Sequence, residues 1–174
     1  MEKQIRGRDQ FRKVKKILAV AVVIYRLLPM KVRIHILKRH RNTRGKLGMG
    51  LRWALLKSIA EYCGDNVAIY SGVYLLSPER LCIGSNVSIQ PMAYVDCSGG
   101  LQIDDDVSIA HGVTVITTTH IFEDKAVCIK DQGIEKKPVH SVDRCEGNCA
   151  GRGEYCLWLC DCCQCSSNKE HRGE

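Results

Sequence analysis

Three segments of this chain, GDNVAI (64–69), GSNVSI (84–89) and DDDVSI (104–109), recur at an interval of 20 residues. Self-similarity at a fixed interval constrains architecture more than composition does, because each repeat must bury its apolar face against the next one. A finer period of six runs inside the repeat. Aliphatic residues fall at Ile69 and Leu75, then at Ile83, Ile89 and Val95, then at Ile103, Ile109 and Val115. Small or β-branched residues follow four positions after most of them, at Val73, Val87, Ala93, Gly99, Val107, Val113 and Thr119. Two-residue insertions, Leu81-Cys82 and Leu101-Gln102, reset the count between blocks. An α-helix cannot use this pattern, since six residues is not a whole number of turns near 3.6. Strand alternation alone does not require it either. A triangular coil does: each unit supplies one short strand and a corner, about eighteen residues complete a turn, and stacked turns bury an aliphatic column. The spacing therefore predicts an all-β solenoid with three turns over residues 63–120.

The preceding 62 residues read differently. Residues 1–50 carry fifteen Lys and Arg against two acids, Glu2 and Asp9, so the net charge of +7 conceals a net acidic remainder. Residues 11–40 predict one or two basic amphipathic helices interrupted near Pro29. NTRGKLGMG (42–50) predicts a glycine-rich linker. LRWALLKSIAEYC (51–63) predicts a short helix with Leu51, Leu55, Ile59 and Tyr62 on one face, stopped by Gly64. A basic arm of this kind suits an anionic partner, whether phospholipid headgroup, phosphate-bearing substrate or nucleic acid, and equally suits a solvated helix face. The apolar run at 17–25 is shorter than the roughly 20 residues a spanning helix needs. No small-residue cleavage site follows it. A cytoplasmic chain is expected, with peripheral membrane contact through the basic arm.

The repeats are followed in order by VTVITTTHIFED (113–124) and QGIEKKPV (132–139). Together these features resemble the hexapeptide-repeat acyltransferases of the left-handed parallel β-helix type, and within them the O-acetyltransferases of the maltose/galactoside and capsule or lipopolysaccharide kind. The resemblance covers residues 51–139. It implies a left-handed parallel β-helix with an N-terminal helical segment; the handedness comes from the resemblance and not from the period. It also implies transfer of acetyl from acetyl-CoA to a saccharide hydroxyl in surface polysaccharide biosynthesis. The working unit implied is a homotrimer whose coenzyme A groove is built largely by coils after the histidine segment. Neither nucleic acid nor a metal is implied.

In this resemblance His120 stands at the position of the family's general base. A histidine suits that task, taking the proton of the attacking hydroxyl and returning it to the coenzyme A thiolate without a covalent intermediate. Asp96 resembles an acidic position that lines the acceptor pocket in some relatives. Met92 lies near a position where galactoside enzymes carry asparagine, which argues against a galactoside acceptor. Residues 121–139 resemble an excursion loop that folds over the cleft. His111 falls in an ordinary loop position, and His35, His40, His140 and His171 lie outside the repeats. No phosphate-binding loop of the GxxxxGK type is present.

Composition changes abruptly near residue 140. Seven of the eleven cysteines crowd into residues 145–165, whereas Cys63, Cys82, Cys97 and Cys128 are scattered. CDCCQC lacks the separated C-x₂-C pairs of a structural zinc site. The genetic code offers another account. A Cys codon read one base later encodes only Val or Ala. Shifted in this way, residues 142–153 can encode WIGAKVIVLGGV and residues 154–171 can encode NIAYGCVIAANAVVTKNI, the kind of ending the resemblance implies. The six-residue period returns as well, since Asp143, Cys149, Tyr155, Asp161 and Ser167 lie six apart and each can become Ile or Val. The expected organisation is a basic helical segment (1–62), the repeats (63–120), an excursion loop (121–139) and an aberrant, disordered, frame-shifted Cys-rich tail (140–174). Such a chain is expected to be an impaired enzyme with an open strand edge after residue 120. Two other readings stand beside it: a non-catalytic remnant of such an enzyme, and a Cys-rich metal-binding protein carried on a β-helix platform.

Overall fold

The computed structural model describes residues 7–142. The chain divides into two units, Met1–Arg144 and Cys145–Glu174. The second unit lies outside the described residues, as do residues 143–174 of the expected frame-shifted tail. Alternating basic and aliphatic residues wind Gly7–Arg26 into α1, and Met30–Arg39 form α2. Pro29 sits at the head of α2 with φ −56° and ψ 145°, where its missing N–H breaks no helical bond. The third helix, α3, spans Gly45–Ile59, so the segment expected as a linker is mostly helical. Its glycines serve close packing: a Cβ at Gly48 would lie 2.2 Å from the Thr43 carbonyl oxygen, and one at Gly50 would lie 3.1 Å from Leu18. Phe11 of α1 meets Trp53 of α3 edge-to-face at 5.0 Å. The helix stops at Ala60 and not at Gly64.

Short strands follow: β1 (Tyr62–Cys63), β2 (Ala68–Ile69), β3 (Tyr74–Leu76), β4 (Leu81–Ile83), β5 (Ser88–Ile89), β6 (Tyr94–Asp96), β7 (Leu101–Ile103), β8 (Ser108–Ile109), β9 (Thr114–Ile116) and β10 (Thr118–His120). A one-turn helix α4 (Ile129–Gln132), β11 (Ile134–Lys136) and β12 (Val139–Val142) complete the described chain. Three sheets are parallel, in the orders β1-β4-β7-β12, β2-β5-β8 and β3-β6-β9; β10 and β11 form an antiparallel pair. The 20-residue interval is the register of the parallel pairing, as in Ile69↔Ile89↔Ile109 and Leu75↔Val95↔Val115. The lead aliphatics of the six-residue period, Ile69, Leu75, Ile83, Ile89, Val95, Ile103, Ile109 and Val115, are all buried.

The expectation of an all-β, left-handed parallel β-helix is corrected. Helices of 20, 10 and 15 residues precede the strands, so the class is mixed α and β. The strands lie in four small sheets, none of them closed or curled on itself, and a left-handed coil is not what the structure shows. The physical reason is that the six-residue period determines which side chains turn inward, and the longer repeat determines which strands pair. Neither specifies closure or hand. The expected open edge is also corrected in part, because β12 pairs with β7 through Val139↔Leu101 and Val142↔Ile103.

Turn chemistry recurs with the same interval. Asn66, Asn86 and Asp106 hold φ of +56°, +59° and +61°, a left-handed conformation that Asn and Asp tolerate better than other side chains. The Asn66 side-chain amide donates to Asn86 Oδ1 at 3.1 Å, which ties successive turns together. Gly64 and Gly84 precede these turns because a Cβ at either would lie 2.5–2.7 Å from backbone carbon of the next block.

On the edge of the first block, α3 covers polar groups. Trp53 Nε1 donates to the Gly64 carbonyl at 3.2 Å, Lys57 Nζ to that of Cys63 at 2.9 Å, and Arg52 Nε to that of Ile69 at 2.9 Å. These side-chain donors occupy acceptors that a neighbouring strand would otherwise take. Lys15 of α1 joins them, bonding Asp65 at 2.5 Å beside the longer Lys57–Asp65 contact of 3.4 Å. The two lysines, Lys15 first, hold the Asp65 carboxyl below its ordinary pKa.

Candidate functional site

The third block leaves the parallel sheets at Thr117. From there β10 and β11 form a hairpin with Thr118↔Lys136, Thr119↔Glu135 and His120↔Ile134 as partners. The connection between them, residues 121–133, lies within the segment 121–139 expected as an excursion loop. It is organised by its own side chains: Gln132 Nε2 donates to the carbonyls of Asp124 and Val127, each at 2.8 Å, while its Oε1 accepts from Asp124 N at 3.0 Å. Asp124 Oδ1 accepts from Ala126 N at 2.8 Å. Gly133 closes the loop with φ +95°, a conformation costly for any residue with a Cβ.

His120 is the last residue of β10 and is exposed. Its ring makes no hydrogen bond among the described residues. What holds its strand is a buried polar corner. Asp96, only 8% exposed, accepts at Oδ1 from Ser98 N at 2.9 Å and from Ser98 Oγ at 2.5 Å. Its Oδ2 accepts from Thr118 Oγ1 at 3.2 Å. Thr117, 1% exposed, donates from Oγ1 to the Asp96 carbonyl at 2.9 Å and accepts from Gly99 N at 2.7 Å. The Thr117 carbonyl in turn accepts from Lys137 N at 2.9 Å. Three chain segments converge here so closely that a Cβ at Gly99 would lie 2.3 Å from the Thr117 carbonyl oxygen and 2.7 Å from that of Lys137.

The arrangement brings His120 and Asp96 into one region through Thr118, two residues before the histidine. It gives Asp96 a positioning part: both carboxylate oxygens are engaged in the corner, and the expected place in an acceptor pocket draws no support from this geometry. Thr117, Thr118, Ser98 and Gly99 were not singled out from the sequence as functional positions. Their signal was present in the run ITTTH, which sets threonines beside a histidine, and in the turn DCSGG, which sets serine and glycine beside an acidic position.

Met92 is 68% exposed and holds φ +64° at a corner where its counterparts in the neighbouring blocks are Gly72 and Gly112. His111 is exposed on the turn before Gly112. His40 ends α2 and lies 3.3 Å, by Nδ1, from Thr43 Oγ1. The side chain of His140 and the whole of His171 lie outside what is described. Burial pushes the Cys97 thiol up to about 12, with the charges of Asp96 and Glu79 adding to it, so this neighbour of the corner is held as an unreactive thiol.

Among the described residues no group of three or more His, Cys, Asp or Glu is placed to hold a metal ion. The Cys-rich cluster of residues 145–165 lies outside them. Among the described residues no helix is long and apolar enough to cross a membrane. Comparison with protein-family models, with curated proteins and with solved structures returns no match.

Proposed function

We propose that this chain descends from, and in restored form acts as, an O-acetyltransferase that moves acetyl from acetyl-CoA to a saccharide hydroxyl. The observation that carries the proposal is the exposed imidazole of His120 on a strand whose base is locked by Asp96, Thr117 and Gly99. A general base must be accessible to its substrate yet held by its surroundings, because a misplaced base loses much of its advantage. The resemblance of ITTTHIFED and its flanking repeats to hexapeptide-repeat acetyltransferases supplies the reaction class. In the proposed step His120 removes the proton from the sugar hydroxyl as its oxygen attacks the thioester carbonyl. The carbon–sulfur bond breaks, and the imidazolium returns the proton to the departing thiolate.

The same proposal makes the working unit a cytoplasmic homotrimer and places the coenzyme groove on segments encoded in the shifted frame after residue 142. Sequencing the encoding DNA tests the frame directly: an uninterrupted shifted frame supports it, and stop codons within it defeat it. The activity is tested by following thiol release from acetyl-CoA with a panel of mono- and oligosaccharides, using a version whose frame is restored at residues 140–142. An acceptor-dependent thiol signal with a matching acetyl mass increment on the sugar is expected. Absence of both from a folded, restored protein would favour the non-catalytic remnant.

A further inference from the structure

One flank of α1 lies against the body of the protein, where Val22 is buried and Phe11 meets Trp53. The opposite flank carries Ile17, Val20, Val23 and Ile24, with Leu27 one residue beyond the helix. These five side chains recur at helical spacing and are all more than half exposed, from 56% at Ile24 to 81% at Leu27. A contiguous apolar strip of this kind marks a surface that meets something other than water. Its charge environment identifies the partner. Lys13 and Lys16 lie on the same arc toward the start of the helix, and Arg12 and Arg26 lie at its edge, all exposed. From residue 10 to residue 60 the chain has fourteen Lys and Arg and no Asp or Glu.

We propose that α1 is a membrane-interface helix. It seats in the plane of an anionic phospholipid surface, with the 17–27 strip among the upper acyl segments and Lys13 and Lys16 at the headgroups. Among the described residues no helix can cross a bilayer, so the geometry is in-plane. A free phosphate would use the cations and leave the aliphatic strip without a role. A second copy of the chain would bring like charges together, and lysine is depleted from the cores of protein interfaces. The inference is independent of the acetyl-transfer proposal, since it uses no residue of the His120 corner.

The test is flotation of the full chain with vesicles of phosphatidylcholine mixed with phosphatidylglycerol, beside vesicles of phosphatidylcholine alone, at low and high salt. Binding to the mixed vesicles is expected, weakened but not abolished by salt, because screening acts on the lysines and leaves the apolar strip intact. Lys13→Gln and Lys16→Gln should each weaken low-salt binding about fivefold, the equivalent of about 1 kcal/mol per basic residue near an anionic surface. The double variant Ile24→Asp/Leu27→Asp should lose the salt-resistant component by at least about tenfold. Both of its sites are exposed, and circular dichroism should show unchanged helix content. Equal binding to phosphatidylcholine alone would overturn the proposal, as would undiminished binding by Ile24→Asp/Leu27→Asp or failure to float with either vesicle. Self-association that this variant abolishes, without lipid binding, would identify the strip as a copy–copy interface instead.

Discussion

Arg52 is 2% exposed, and its hydrogen bonds among the described residues go to carbonyl oxygens: Ile69 from Nε, and Thr43, His40 and Arg41 from one terminal nitrogen at 2.7, 3.2 and 3.3 Å. Burial pushes its pKa down from the ordinary value. The partial negative charge at the end of α2, where His40 and Arg41 lie, favours the cation there. The side chain therefore joins the α2–α3 corner to the first strands. Replacing it by Met keeps the length and leaves buried carbonyls without a donor, at about 1–3 kcal/mol for each such group. Arg52→Met should lower the unfolding free energy by at least about 3 kcal/mol in a urea titration. Arg52→Lys should recover little, because one ammonium cannot reproduce the planar fork. This arginine was not legible in the sequence. Helical periodicity picks out Leu51, Leu55, Ile59 and Tyr62, yet Tyr62 is 59% exposed, and Arg52 lies inside beside Leu55 and Leu56. A pattern that scores arginine as polar has no means of turning it inward. The buried thiols make a second prediction. Burial pushes Cys63 and Cys97 up to about 12 from an ordinary 9. The folded state thus holds protons that the unfolded state releases. Their contribution to stability is fully present below about pH 9 and is lost as pH rises toward 12. The urea midpoint should fall across that interval, and a Cys63→Val/Cys97→Val variant should show a shallower decline. An identical decline in both proteins would show that these thiols are not responsible.

The β10–β11 hairpin shows what can and cannot be read at the level of an element. The departure from the repeats at the histidine segment was legible, because ITTTHIFED ends the run of repeats. The antiparallel pairing was not, since every repeat before it points to parallel neighbours. The pairing follows from crowding at its base, where the backbones of Gly99, Thr117 and Lys137 meet. Gly99→Ala should push these segments apart and cost about 1–3 kcal/mol, the usual range for overpacking. Because Thr117 and Thr118 lead directly into His120, amide exchange over 118–120 should quicken in this variant while exchange over β2 and β5 stays as it was. Uniform exchange behaviour in both regions would mean that the corner does not hold the hairpin. The linker expected at 42–50 failed for a related reason. Glycine density reads as flexibility in a sequence, but Gly48 and Gly50 are small because Thr43 and Leu18 press against them.

At the scale of the molecule, the repeat was the legible part. It gave the parallel register and the buried aliphatics, because a 20-residue interval with a six-residue subperiod constrains pairing and side-chain direction. It did not give closure or hand, and it did not show that α3, joined by Lys15 of α1, covers polar strand edges that the repeat cannot cover itself. The described structure thus presents one exposed histidine on a hairpin clamped to a buried polar corner. The central claim is that this histidine is the general base of an acetyl transfer. The most direct measurement is the turnover of acetyl-CoA and a saccharide acceptor by the frame-restored protein and by its His120→Ala variant, with coenzyme A binding measured alongside. The account predicts a loss of turnover of roughly 10² to 10⁴ with coenzyme A affinity little changed, because the imidazole addresses the hydroxyl and not the nucleotide. Near-normal turnover by His120→Ala would contradict it.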